Sequence, residues 1–97
     1  MDIDIETDKL ALLRISTEWV KIDVISEVDV YLTNRGYIPV LRVIVDNKKI
    51  PRLLSIAAKS LAFPLSDMRS DNAGKFKGLK FELRKESAEK TALFEFR

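Results

Sequence analysis

Residues 19–32 read WVKIDVISEVDVYL, and this stretch decides the fold. Its apolar residues alternate with polar or charged ones over most of its length. They are Val20, Ile22, Val24, Val28, Val30 and Leu32. A period of two predicts a half-buried β-strand, because successive side chains of a strand point to opposite faces of the sheet. Ser26 interrupts the apolar face, which predicts a β-bulge or a strong bend there.

Further strands are predicted on both sides of this stretch. Residues 34–36 and 46–48 are turn signals, and the nearly continuous apolar run 38–45 between them predicts a central strand. Residues 49–56 return as an edge strand whose start is delayed by Pro51. Before residue 19, an acidic and apolar alternation over 2–8 predicts an edge strand or an acidic arm, and 9–15 predicts a short strand.

Residues 55–69 carry the one strong helix pattern, with apolar side chains spaced by about 3.6 residues. Ser55 is the predicted N-cap, and Gly74 ends the segment. Pro64 lies in the middle, so a kink or break is expected near Phe63.

Two alternating runs, 79–84 and 92–97, enclose a charged loop and predict a C-terminal hairpin. The order is therefore four or five strands, one helix and two strands. We expect a single α+β domain over 1–97, with a small antiparallel sheet or partly open barrel of five to seven strands and one kinked helix.

The composition excludes several kinds of chemistry. The 97 residues include no cysteine and no histidine, which rules out disulfides, zinc fingers, thiol nucleophiles and histidine acid–base catalysis. No glycine-rich phosphate loop is present. We therefore expect a protein that is not an enzyme and needs no metal or other cofactor.

The same composition sets expectations about location and assembly. The chain has no apolar run long enough to span a bilayer and begins with an acidic segment, so a cytoplasmic protein without a membrane role is expected. The absence of cysteine and glutamine favours a thermophilic source. A core of this size is modest, and a homodimer would stabilise it.

Charge is unevenly distributed along the chain. Residues 1–33 have a net charge of −5 and residues 34–97 a net charge of +7, although the whole chain is only +2. A basic C-terminal two-thirds is typical of a protein that binds a polyanion, and the acidic start could shield that surface.

Candidate nucleic-acid contacts follow from this charge. The cations fall in two sets, one around the 46–48 turn and one from residue 75 onward: Lys48, Lys49, Arg52; Lys75, Lys77, Lys80, Arg84 and Lys85. Tyr37, Phe76 and Trp19 are the aromatic residues predicted to stack on bases. The alternative for the strand cations is a solvated face that guards a sheet edge.

Two further features have alternative interpretations. Arg42 lies alone in an apolar strand, where an ion pair with a neighbouring carboxylate is favoured over a place on a binding face. Trp19 and Tyr31 could form a stacking platform, a protein interface or the cover of a second small core under the helix.

The last 50 residues resemble a known group of proteins. Three stretches carry the resemblance: LLSIAAKSL at 53–61, GLKFELRK at 78–85 and EKTALFEF at 89–96. Their order is similar to that of small OB-like single-strand-binding proteins of viruses and plasmids. The resemblance implies a barrel with a basic groove and aromatic stacking, with Lys80, Arg84 and Lys85 on the nucleic-acid backbone.

The leading hypothesis is a non-enzymatic protein that binds single-stranded DNA or RNA with low sequence specificity. The competing hypothesis is a protein–protein interaction module, or a small subunit that dimerises through an edge strand.

Overall fold

The computed structural model describes residues 10–89 and 92–97, in which six strands and one helix form a small α+β fold. The elements are β1 (Val20–Val24), β2 (Asp29–Thr33), β3 (Gly36–Val45), β4 (Arg52–Ser55), α1 (Lys59–Asp71), β5 (Lys80–Lys85) and β6 (Phe94–Phe96). The named strands pair only in antiparallel fashion, in one sheet that is not closed. The predicted fold class is thus confirmed, while the prediction for 2–8 lies outside the described residues.

β1 and β2 lie one after the other along the same edge of β3. β1 pairs Val24 with Val43, and β2 resumes with Asp29 opposite Val40. Four residues, 25–28, therefore lie opposite only two, 41 and 42. The predicted long strand is split by a bulge where the sequence places Ser26.

The Ser26 side chain replaces a missing backbone partner within this bulge. Ile25 N–H donates to the Arg42 carbonyl at 2.9 Å, as in an ordinary ladder. The Arg42 N–H instead donates to Ser26 Oγ at 2.9 Å, and the Ser26 hydroxyl donates to the Glu27 carbonyl. The bulge is therefore held by a side chain that satisfies an otherwise unpaired backbone group.

The main core lies between α1 and one face of the sheet, which we call the inner face. Leu61 and Leu65 of the helix are fully buried there, against β1, β3, β4 and β5. The helix starts at Lys59 after an N-cap at Ala58, so the prediction of Ser55 as N-cap was wrong. Ser55 is still in β4, paired with Val40.

The expected break at Pro64 does not occur. A single helix spans Lys59–Asp71 with Pro64 inside it. Leu61 and Leu65 bracket the proline and pack on the sheet, and such packing outweighs a lost helical hydrogen bond.

A second, smaller cluster lies on the opposite face of the sheet, which we call the outer face. Leu10, Val40 and Leu53 are buried there, with Tyr31 and Ile38 packed against them. Of the strand predicted over 9–15, the described residues 10–15 form only a parallel bridge between Leu12 and Leu53. Tyr31 therefore helps to cover a second small core, which was one of its three predicted roles. This core lies on the face of the sheet opposite the helix, not beneath it.

The β2–β3 hairpin extends past the region that α1 covers. The core beneath the helix includes no residue of β2. Val30 and Leu32 are 57% and 61% exposed, and Tyr37 opposite Leu32 is 71% exposed. The expectation that the even positions of 28–32 are buried was therefore wrong, because within residues 10–89 and 92–97 α1 does not extend over this part of the inner face.

We expect Ser26→Ala to lower the free energy of unfolding by about 1–3 kcal/mol, because it leaves the half-buried Arg42 N–H without its acceptor. Chemical denaturation measures this loss. The matched control is Ser70→Ala, whose hydroxyl makes an exposed bond to the Ser66 carbonyl within the helix. Equal stability losses in the two variants would contradict a structural role for the Ser26 hydroxyl.

Candidate nucleic-acid interface

The predicted basic residues do not meet in one groove. Lys48 and Lys49 lie in the turn between β3 and β4, and Arg52 begins β4. Lys75 and Lys77 lie in the loop between α1 and β5. The cations of β5 are divided by the strand alternation, as Lys80 and Arg84 lie on the outer face and Lys85 on the inner face.

Trp19 is engaged by arginine side chains on the outer face. The guanidinium carbons of Arg84 and Arg97 lie 4.7 and 4.3 Å from the ring centroid. Arg84 pairs with Glu95 at 3.1 Å, and Arg97 pairs with Glu82 at 3.0 Å. The indole thus belongs to a cation–π and ion-pair network that competes with base stacking.

The rest of the outer face also places opposite charges side by side. Lys21 lies across from Glu82 and Lys80 across from Asp23 in the β1–β5 register. This arrangement favours the solvated strand face over a basic groove. Arg42 Nη2 lies 3.8 Å from Asp29 Oδ2, which confirms the predicted ion pair between Arg42 and a carboxylate of a neighbouring strand.

Phe76 is buried rather than exposed. Only 8% of the residue is accessible, and it belongs to the main core, with the Arg69 guanidinium 5.2 Å from its ring centroid. The expectation of an exposed aromatic between two lysines was wrong, because the Phe76 side chain anchors the loop to the core. Its neighbours Lys75 and Lys77 remain exposed.

Glu27 fixes the backbone of this loop. Its carboxylate accepts hydrogen bonds from the N–H groups of Phe76 at 3.1 Å and Lys77 at 2.9 Å. From the other side, Asn72 Nδ2 donates to the carbonyls of Lys75 and Lys77. From the sequence, Glu27 was one of three carboxylates, with Asp23 and Asp29, that could pair with Arg42; its place next to Ser26 within the predicted bulge was the available signal.

The surroundings of Glu27 lower the pKa of its carboxyl group. The largest cause is the hydrogen bond from the Lys77 N–H, followed by that from Phe76, and the charges of Arg69 and Lys75 add to it. The ionised carboxylate therefore stabilises the loop that carries Lys75 and Lys77.

The exposed inner face of the hairpin lies beside this loop. We call it the hairpin platform and define it as Val30, Leu32, Tyr37 and Pro39, which form two cross-strand pairs. The strand rise of about 3.3 Å per residue places the tip of the hairpin roughly 20 Å from Glu27. Arg35 lies in the tip, so cations occur at both ends of the hairpin.

Lys85 lies in a different setting, a groove of about 500 Å³ on the inner face. The groove is lined by Leu13, Arg14, Ile15, Leu54, Ser55, Ala58, Lys85 and Phe94. The Lys85 ammonium is 5.7 Å from the centre of the Phe94 ring. Lys85 is thus separated from Lys80 and Arg84, with which the sequence resemblance grouped it.

No family model, curated protein or solved structure matches this chain. Within residues 10–89 and 92–97, no helix has the length and apolar character needed to cross a membrane. The same residues contain no group of three or more acidic side chains placed to hold a metal ion.

Glu27→Gln is expected to destabilise the protein at neutral pH and to have little effect in acid. A carboxyl group with a lowered pKa stabilises the fold above its unfolded-state pKa, and this contribution is lost as the pH falls through the folded-state pKa. Denaturation of both proteins at pH of about 7 and about 3 measures the difference.

Glu18→Gln, on the exposed segment before β1, is the control and should show no such pH-dependent difference. A stability difference for Glu27→Gln that is the same at both pH values would show that the ionised carboxylate is not what holds the loop.

Proposed function

We propose that the protein binds single-stranded nucleic acid, without catalysis and with low sequence specificity, on the hairpin platform. The observation that carries the proposal is the exposure of Tyr37, at 71%, between the cation of Arg35 at the hairpin tip and those of Lys75 and Lys77 near its base.

The chemistry of the platform suits a single strand. Every base has a π-face, so stacking on an exposed tyrosine tolerates any sequence, and lysine and arginine side chains neutralise phosphates. The backbone around Lys75 and Lys77 is held by Glu27 and Asn72, which reduces the entropy lost when the two lysines engage a phosphate chain.

The β3–β4 turn supplies a second basic patch. Among the described residues, no carboxylate lies within ion-pair distance of Lys48, Lys49 or Arg52, which keeps their charges available. By contrast, Arg84 and Trp19 contact one another, and Arg84 is paired with Glu95. We therefore assign the main contacts to the platform and its flanking loops, with the turn as a secondary phosphate contact.

A protein–protein interaction module is the second candidate, and the same hairpin favours it. An exposed apolar strip formed by Val30, Leu32 and Tyr37 suits a protein surface as well as a base. Salt separates the two functions, because nucleic-acid binding weakens steeply with ionic strength whereas apolar contact does not.

Tyr37→Ala should weaken binding to a labelled oligothymidine by about 5- to 150-fold, the range expected for the loss of one stacked base. Fluorescence anisotropy at about 50 and 200 mM salt measures the affinity and its salt dependence. Phe63→Ala is the matched control, since Phe63 is a similarly exposed aromatic residue, at 65%, that belongs to α1 rather than to the hairpin. Absence of binding at the lower salt concentration would reject the proposed function.

Trp19 fluorescence provides an independent test of where the strand lies. It is the only tryptophan in the chain, and its ring is engaged by Arg84 and Arg97 on the outer face. Saturating oligothymidine should leave its emission unchanged while the anisotropy of the label rises. Strong quenching of Trp19, together with normal binding by Tyr37→Ala, would place the interface on the outer face instead.

A further inference from the structure

The groove on the inner face that contains Lys85 has a wall that is fixed at both ends. Residues 13–16 form this wall. At one end, the Leu13 N–H donates to the Leu53 carbonyl of β4 at 2.8 Å. At the other end, the Ser16 carbonyl accepts from the Lys85 N–H of β5 at 2.8 Å. Such a preformed wall lowers the ordering cost of binding, and a volume of about 500 Å³ is typical of sites for small molecules.

The lining of this groove combines apolar side chains with positive charge that has no counterpart. Its charged members are Arg14 and Lys85, and the lining includes no aspartate or glutamate. Within residues 10–89 and 92–97, no carboxylate lies within ion-pair distance of either cation. The large apolar members of the lining are Leu13, Ile15, Leu54 and Phe94. A ligand that matches this lining has one anionic group and an apolar body.

Lys85 occupies a strand position that belongs to the core-facing row of β5. Phe81 and Leu83, the earlier members of this row, are buried in the main core. Lys85 is half-buried at the end of the row, and its ammonium is 5.7 Å from the centre of the Phe94 ring. A charge beside apolar walls needs water or an anion to balance it, and an anionic group in the groove supplies that balance.

We propose that this groove binds a small amphipathic organic anion, namely a carboxylate attached to an aliphatic chain. Lys85 donates a charge-assisted hydrogen bond to the carboxylate, and Arg14 adds positive charge to the same groove. The aliphatic chain lies on the apolar lining, where each CH₂ group removed from water adds to the affinity. The groove is separate from the hairpin platform, so this proposal is independent of nucleic-acid binding.

The start of α1 is compatible with an anion in the groove. Ala58, the N-cap of the helix, is one of the lining residues. The first turn of α1 carries no acidic residue, so no negative charge of the helix start opposes the two cations.

Isothermal titration calorimetry of the full chain with decanoate tests the proposal, and one bound decanoate per chain is the expected result. Octanoate should bind up to about fifteenfold more weakly, because its chain is shorter by two CH₂ groups. 1-Octanol, which has the same chain length as octanoate but no charge, should bind more weakly than octanoate. Absence of decanoate binding, or equal binding of octanoate and 1-octanol, would overturn the proposal.

Two variants test where decanoate binds. Lys85→Gln should weaken binding by about tenfold, because a charge-assisted hydrogen bond is lost. Lys80→Gln is the matched control, since it makes the same chemical change on the exposed face of the same strand, outside the groove. Ala58→Phe adds a larger side chain at an exposed position of the groove wall and should also weaken binding without a change of charge.

Circular dichroism establishes that the variants are folded before their affinities are compared. Equal weakening by Lys85→Gln and Lys80→Gln, or full binding by both Lys85→Gln and Ala58→Phe, would overturn the assignment of decanoate to this groove. Displacement of decanoate by oligothymidine would assign the groove to nucleic acid and would likewise overturn the proposal.

Discussion

The bulge at 25–28 is the constraint on which the rest of the structure depends. The hydrogen bond from the Arg42 N–H to Ser26 Oγ allows four residues to lie opposite two without leaving that backbone donor unpaired. The strand on one side of the bulge, β1, belongs to the core beneath α1. The strand on the other side, β2, belongs to an exposed hairpin. The Ser26 hydroxyl thus lies at the boundary between the part of the sheet that packs beneath α1 and the exposed β2–β3 hairpin.

The bulge also positions the loop between α1 and β5. Glu27 is one of its four residues, and the local change of direction brings the carboxylate to the N–H groups of Phe76 and Lys77. Phe76 then enters the core while the lysines beside it stay in solvent. A single irregularity in a strand therefore determines both the extent of the hairpin platform and the placement of the nearest cations.

Local patterns predicted the elements well, and contacts between distant residues explain what they missed. The period of two, the interruption at Ser26 and the delay at Pro51 are short-range signals. They correctly predict the strands β1 and β2, the bulge between them and the start of β4, although not the exposure of β2. The burial of Phe76 and the exposure of Val30 depend on where α1 crosses the sheet. The engagement of Trp19 by Arg97 joins residues far apart in the chain. The pattern of residues within one segment does not reveal contacts between segments that are far apart in the sequence.

The charge split along the sequence has a different meaning once the chain is folded. Acidic residues of the first third lie beside cations of the rest: Asp29 pairs with Arg42, Asp23 lies across from Lys80, and Glu27 holds the loop of Lys75. Much of the negative charge of the first third therefore lies beside positive charge within the folded chain. Opposite charges on neighbouring strands stabilise the pairing of those strands. The positive charge left for a partner lies in the turns and loops at the ends of the sheet, and a polyanion would have to meet it there.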